Sequence, residues 1–255
     1  MLIFPFSADK PELKVYNNIY KFKTDGGDMS IKRIKLNDRT LPNYTRKEDM
    51  FNMITHIVGG GFGVLALILC CGFAIYHRNW WGLAGGAVYG MSMIFLYTMS
   101  SVYHGLRPNR AKKVLQVLDH CTIYALIVGS YVPILLTGIR EYSLKLMLIM
   151  SAAGLVITAV GVTFTAIDYK TYAAISYTGY FLLGWMAIFA VKPILAAFGT
   201  EFFIWLLSGG IAYTVGIVFY IIGSKRHYIH GVFHIFILLG SVLQFIAIFK
   251  FCILR

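Results

Sequence analysis

The chain has 255 residues, of which 58% are hydrophobic and 13% charged, and its mean hydropathy is +0.69. An average soluble domain carries about 25% charged residues, so this composition excludes a water-soluble globular fold and puts the chain in a membrane. The formal charge of +12 requires no nucleic acid, because attraction to anionic lipid head groups explains a basic balance in a membrane protein.

Residues 1–47 read as a polar cytoplasmic tail with ten basic and five acidic side chains, broken by Asp25-Gly26-Gly27-Asp28. The apolar start, Met1 to Phe6, is too short for a signal sequence and soon meets Lys10, Glu12 and Lys14, so no removable leader is expected. Seven apolar runs follow, near 51–76, 81–104, 114–137, 143–164, 172–191, 200–222 and 230–250. Each approaches the ~20 residues that an α-helix needs to cross the hydrocarbon, and none alternates as a membrane β-barrel strand does. The expected fold class is all-α, a polytopic bundle of seven transmembrane helices over residues 48–255. With the amino terminus in the cytoplasm, seventeen of the 23 Lys and Arg residues lie on that side and six on the other. Positive residues are retained inside, which puts the amino terminus in the cytoplasm and the carboxyl terminus outside.

Several features within the runs have structural readings. Gly59, Gly60, Gly61 and Gly63, with Gly86 and Gly90, let helices approach closely. Pro133 is expected to kink the third helix, and Trp80, Trp81 and Tyr142 suit an interfacial aromatic belt. Cys70, Cys71, Cys121 and Cys252 lack Cys-x-x-Cys spacing and read as packing residues.

The chemistry-bearing residues gather at one end. Glu48, Asn52 and His56 form an i, i+4, i+8 stripe at the start of the first helix. Ser100 and His104 end the second, Asp119 sits between one and two turns into the third, and His230 and His234 open the seventh. Two helical turns span about 11 Å, so all of these groups share one shallow slab on the cytoplasmic side. Ionisable groups inside a bilayer are costly and mark function. His230 and His234, four apart, project from one helical face and can take two positions on zinc, with His104 supplying a third. Three protein ligands leave one position for water, as in catalytic zinc sites, and such water can reach a pKa of about 7. Asp119 and Ser100 would then hold and orient that water or act as its base. The bland alternative is that a histidine at a helix end is an interfacial polar residue. Glu48 reads either as a helix cap or, with Asn52 and His56, as a brace for the site. His77, His120 and His227 read as interfacial or packing residues.

These residues also carry a family resemblance. Glu48-Asp49-Met50-Phe51-Asn52-Met53-Ile54-Thr55-His56 is similar to a first-helix signature, and Ser100-Ser101-Val102-Tyr103-His104 to a Ser-x3-His motif. Leu118-Asp119-His120 with Ile123-Tyr124, then Gly129-Ser130-Tyr131-Val132-Pro133, resembles the third helix, and His230-Gly231-Val232-Phe233-His234 the His-x3-His of the last. Together, over roughly residues 44–250, they resemble the hemolysin III proteins, the bacterial branch of the progestin and adipoQ receptor family. The resemblance implies a multi-pass protein of the bacterial cell membrane, with zinc on His104, His230 and His234 and with Ser100 and Asp119 close by. It implies hydrolysis of a lipid amide such as ceramide, with membrane lipids as partners and substrate. Pore-forming cytolysis and non-enzymatic regulation of membrane energetics or fluidity are the alternatives it carries.

Overall fold

A computed structural model describes residues 34–223 and 226–255, and all regular structure among them is helical. A short 3-10 turn at Leu36–Asp38 precedes α1, Arg46–Tyr76. Thr45 and Glu48 start α1 with a reciprocal capping box: the Glu48 amide donates to Thr45 Oγ1 and the Thr45 amide to Glu48 Oε2, which satisfies two of the amides a helix start leaves open. Asn79 caps α2, Trp80–Gly105, and Asn109 caps α3, Arg110–Ile134. Lys112 and Lys113 therefore lie in the first turn of α3, whereas the apolar pattern alone starts that helix after them. Proline lacks an amide proton and crowds the preceding turn. Just beyond Pro133 the helix widens into a π turn over Leu135–Ile139, where Thr137 Oγ1 donates to the Pro133 carbonyl at 2.8 Å. A single helical turn, Arg140–Tyr142, ends this stretch, and the longer helices that follow are α4, Leu144–Asp168; α5, Ala173–Gly184; α6, Val191–Gly223; and α7, Ile229–Ile248. A 3-10 segment, Met186–Ala190, joins α5 to α6, and a π turn, Phe249–Ile253, extends α7.

Among the described residues, six stretches are long and apolar enough to cross a membrane: Arg46–Tyr76, Trp80–Gly105, Arg110–Tyr142, Leu144–Asp168, Ala173–Ile221 and Ile229–Ile253. The runs expected at 172–191 and 200–222 both fall within the fifth of these. Its 49 residues would extend about 74 Å as one straight helix, over twice the ~30 Å hydrocarbon thickness. It is not straight. Gly199 adopts φ 80, ψ 177 and breaks the helix. Trp185 Nε1 donates to Thr214 Oγ1 at 3.2 Å, and the Tyr177 and Tyr220 rings lie 5.8 Å apart. Both pairs are nearly equidistant from Gly199, so the two arms fold back antiparallel.

Helix α1 lies along α2, α2 along α3, and α6 along α7, which also returns to meet α1. Small residues bring α1 and α2 together: a Cβ on Gly90 would stand 2.7 Å from Leu67 Cα. In mid-bundle, Ser241 of α7 joins α2 and α6, its Oγ lying 2.8 Å from Tyr97 Oη and 2.9 Å from Tyr213 Oη. Ile68, Leu155 and Phe189 stay exposed on the outer surface, as expected of side chains that face lipid. At the end of the bundle carrying Trp80 and Trp81, Asn79 Nδ2 donates to the carbonyls of Cys252 and Ile253, and Arg255 donates to that of Thr137.

The backbone at Gly199 is in a region open almost only to glycine, costing other residues about 1–3 kcal/mol. Gly199→Ala should therefore lower the thermal midpoint in detergent although nothing lies within 4 Å of the added Cβ. Gly61→Ala, equally uncrowded but helical, should raise stability by about 0.5–1 kcal/mol. Equal midpoints for the two variants would show that the break at Gly199 carries no conformational strain.

Candidate metal centre

The capped starts of α1 and α3, the start of α7 and the end of α2 converge on a histidine cluster. One ring nitrogen from each of His104, His230 and His234 can be chosen so that all lie within 4.8 Å of one another. Ring centroids are 5.5 Å apart for His104 and His230, 5.3 Å for His104 and His234, and 4.5 Å for His230 and His234. His104 is fully buried, and His234 nearly so.

Hydrogen bonds orient two of these rings. His104 Nδ1 donates to Asp49 Oδ1 at 3.1 Å, which turns Nε2 inward with its lone pair free; that atom is buried and has no partner. Thr55 Oγ1 donates to the Asn52 carbonyl at 2.7 Å, so its lone pair accepts His234 Nδ1–H at 3.3 Å. His234 Nε2 is then also bare, 3.1 Å from His230 Nε2. Two lone pairs at that distance repel unless a proton or a cation lies between them. A tetrahedral ion with nitrogen ligands at 2.0–2.1 Å separates its donors by about 3.3 Å. The orphaned Nε2 of His104 and the close Nε2 pair thus fit a nitrogen-preferring cation. Tyr44, just ahead of α1, stacks on His230 with ring centroids 5.2 Å apart. Burial, then the neighbouring Tyr169, pushes its phenol above the usual value, so Tyr44 stays neutral.

His56, Ser100 and Asp119 line a cavity of about 170 Å³ together with His230 and His234. Ser100 is buried and Asp119 half-buried. The His56 ring packs 3.9 Å from that of His234, and neither of its nitrogens has a partner. The cavity extends between apolar side chains, among them Leu126, Ile127 and Ile237, as far as Trp185 and Gln244. A smaller cavity shares Ser130, Tyr131, Gly184, Trp185, Gly210 and Gln244 with it and reaches Ile188 and Leu207, both exposed on the outer surface.

Glu48 does not line this cavity. Its Oε2 accepts from the Thr45 amide and hydroxyl, and its Oε1 from the Tyr228 amide and His227 Nδ1, both at 3.1 Å. It thereby ties the start of α1 to the start of α7, from which His230 and His234 project. Asn52 is buried on the face toward Gly231 of α7. His120 lines the cavity and donates from Nδ1 to the Gln116 carbonyl at 2.7 Å.

Neither Asp49 nor Lys112 stands out in the sequence as part of the site. Lys112 reads as one more cytoplasmic loop cation, yet it is 3% exposed and its Nζ lies 2.5 Å from Asp49 Oδ2. Asp49 precedes His56 by seven residues, two turns along one helical face. That period was the available signal, masked by the adjacent Glu48.

A helical membrane protein with a buried histidine centre at one end of its spans is the class that this fold and site define. Residues 44–245 match the family model described as Haemolysin-III related, and the chain belongs to that family. It is 33% identical over 213 residues to the Hemolysin-3 homolog of Bacillus subtilis (strain 168), covering 82% of this chain and 97% of the relative. It is also 33% identical over 211 residues to Hemolysin-3 of Bacillus cereus, covering 82% and 91%. The human Monocyte to macrophage differentiation factor is 25% identical over 195 residues, covering 71% and 76%. The chain is a multi-pass protein of the cell membrane.

Glu48→Ala would remove one half of the α1 cap and the acceptor at the start of α7. The loss should be about 2 kcal/mol, the sum of a helix cap and charge-assisted hydrogen bonds, read as a drop of several degrees in the midpoint in detergent. An unchanged midpoint would show that Glu48 does not hold the two helix starts together.

Proposed function

We propose that this protein crosses the membrane seven times, with a cytoplasmic amino terminus, and is a zinc-dependent hydrolase of lipid amides. Support for seven crossings comes from the antiparallel arms on either side of Gly199, each long enough to span. The excess of Lys and Arg on the side of the histidine cluster supports the orientation. Reporter fusions after residues 33 and 255 should give opposite topologies; the same side for both would overturn this arrangement.

The observation that carries the hydrolase reading is three ring nitrogens within 4.8 Å, one of them buried and unpartnered, at one end of a mainly apolar cavity. His104, His230 and His234 would hold zinc, which would supply Lewis acidity toward a carbonyl oxygen and lower the pKa of a water. Asp119 lines the same space and can take a proton from the attacking water at its carboxylate, then return it to the leaving nitrogen. Ser100 Oγ can donate to the carbonyl oxygen. The walls formed by Leu126, Ile127 and Ile237 exclude water and suit an acyl chain, and the side cavity at Ile188 and Leu207 offers a lipid a route from the membrane.

Purified wild type should retain about one zinc per chain and release fatty acid from at least one member of a lipid-amide panel. His230→Ala and His104→Ala should lose both properties. Metal-independent release, or none from any substrate, would count against the hydrolase. The names of the Bacillus relatives favour a second reading, lysis. Leakage of dye from liposomes that persists in His234→Ala and after zinc removal would support it. The apolar walls of the cavity speak against it, because a conducting path needs polar lining along its length. If chelation lowers the thermal midpoint of a protein with neither turnover nor leakage, the centre is a structural clamp in a membrane regulator.

A further inference from the structure

We propose that Asp49, held by Lys112, is the positioning residue of the histidine centre: it makes His104 the anchor ligand and sets the affinity of the site for its metal. This inference rests on the metal-binding reading above and names residues that act on the metal only through His104.

A carboxylate accepts hydrogen bonds and cannot donate them while ionised. At 3.1 Å from His104 Nδ1, Asp49 therefore requires the proton on Nδ1 and leaves Nε2 as the donor to a metal. The second carboxylate oxygen is taken by Lys112 Nζ at 2.5 Å, so both oxygens are engaged and the two contacts together fix the orientation of the carboxylate. Lys112 is itself fixed, donating to the Leu106 carbonyl at 3.0 Å and lying over the Tyr103 ring. One imidazole is thus pinned by three helices: Asp49 from α1, its own α2, and Lys112 from α3. All three side chains are more than nine-tenths buried, and a buried carboxylate persists as an anion only beside a cation or several donors.

The other two rings have weaker supports. His234 leans on a neutral hydroxyl at 3.3 Å, and His230 on the face of Tyr44. A carboxylate partner raises the basicity of a ligating imidazole, and loss of such a partner typically weakens metal binding by 10–100-fold. The asymmetry makes a ranked prediction, with the effect of Asp49 larger than that of Thr55.

The test is zinc affinity of the full chain in detergent, by competition with a chromophoric chelator, alongside the visible spectrum of the cobalt-loaded protein. Asp49→Asn should bind zinc about 10–100-fold more weakly with altered cobalt bands, and Thr55→Val should lose less. Asn can still accept from Nδ1, so the shape of the site is kept. Because Asp49→Asn leaves Lys112 buried without its anion, the double variant Asp49→Asn/Lys112→Met serves as the folding control. It should regain thermal stability over Asp49→Asn while its zinc affinity stays low. Thr45→Ala, which loosens the α1 cap without touching the centre, should lower the midpoint and leave the cobalt spectrum unchanged. Zinc affinity in Asp49→Asn and in the double variant within twofold of wild type would overturn the proposal, as would a Thr55→Val defect at least as large. Wild type that binds neither zinc nor cobalt would instead overturn the metal reading on which it stands.

Discussion

Every imidazole set into an apolar bundle brings two ring nitrogens that need partners, and the buried His56, His104 and His234 with the half-buried His230 bring eight into one small volume. An unsatisfied buried polar atom costs about 1–3 kcal/mol, so the surroundings of these rings are built around supplying acceptors and charge. Asp49 serves His104 and Thr55 serves His234. What remains unpaired points at the centre of the cluster or, for His56, into its packing against His234.

That requirement explains the polarity of the fold along its length. At the histidine end, charge is admitted deep into the structure and held by paired groups. Arg39 is buried against the last carbonyls of α4, donating to Ala166 and Ile167, where a helix C-terminus favours a cation. Glu48 links two helix starts, and Asp49 links three helices through His104 and Lys112. At the opposite end side chains donate to backbone carbonyls, as Asn79 does to Cys252, and the ion pair of Lys250 with Glu201 lies exposed. Between the two ends, packing of glycine against aliphatic and aromatic side chains brings α1 against α2 and lets His56 reach His104 and His234. The polar centre and the close helix approach depend on each other.

The apolar helical spans and the clustering of candidate residues at one end were legible because both are written in local periodicity. The length of an apolar run reports a span, and a four-residue spacing puts His230 and His234 on one face whatever the rest of the chain does. The Ser-x3-His run and the later histidine pair also carried the family resemblance that the match over residues 44–245 shows. Lys112 was not legible, because a lysine at the start of a span has the same local sequence whether it faces head groups or a buried carboxylate. Asp49 was hidden beside Glu48, since adjacent residues at a helix start both look like caps until the neighbouring helices are in place.

The amino-acid sequence by itself determined the membrane setting, the approximate spans and the residue types available for a buried polar centre, since hydropathy and helical period are properties of neighbouring residues. Only the tertiary structure decided that Glu48 caps α1 and reaches α7 while Asp49 turns to His104, and that Lys112 goes inward. It also decided that the chain from Ala173 to Ile221 folds back at Gly199. Each of these depends on which helix stands opposite, and contacts between residues on different helices, far apart in the chain, leave no local period to read.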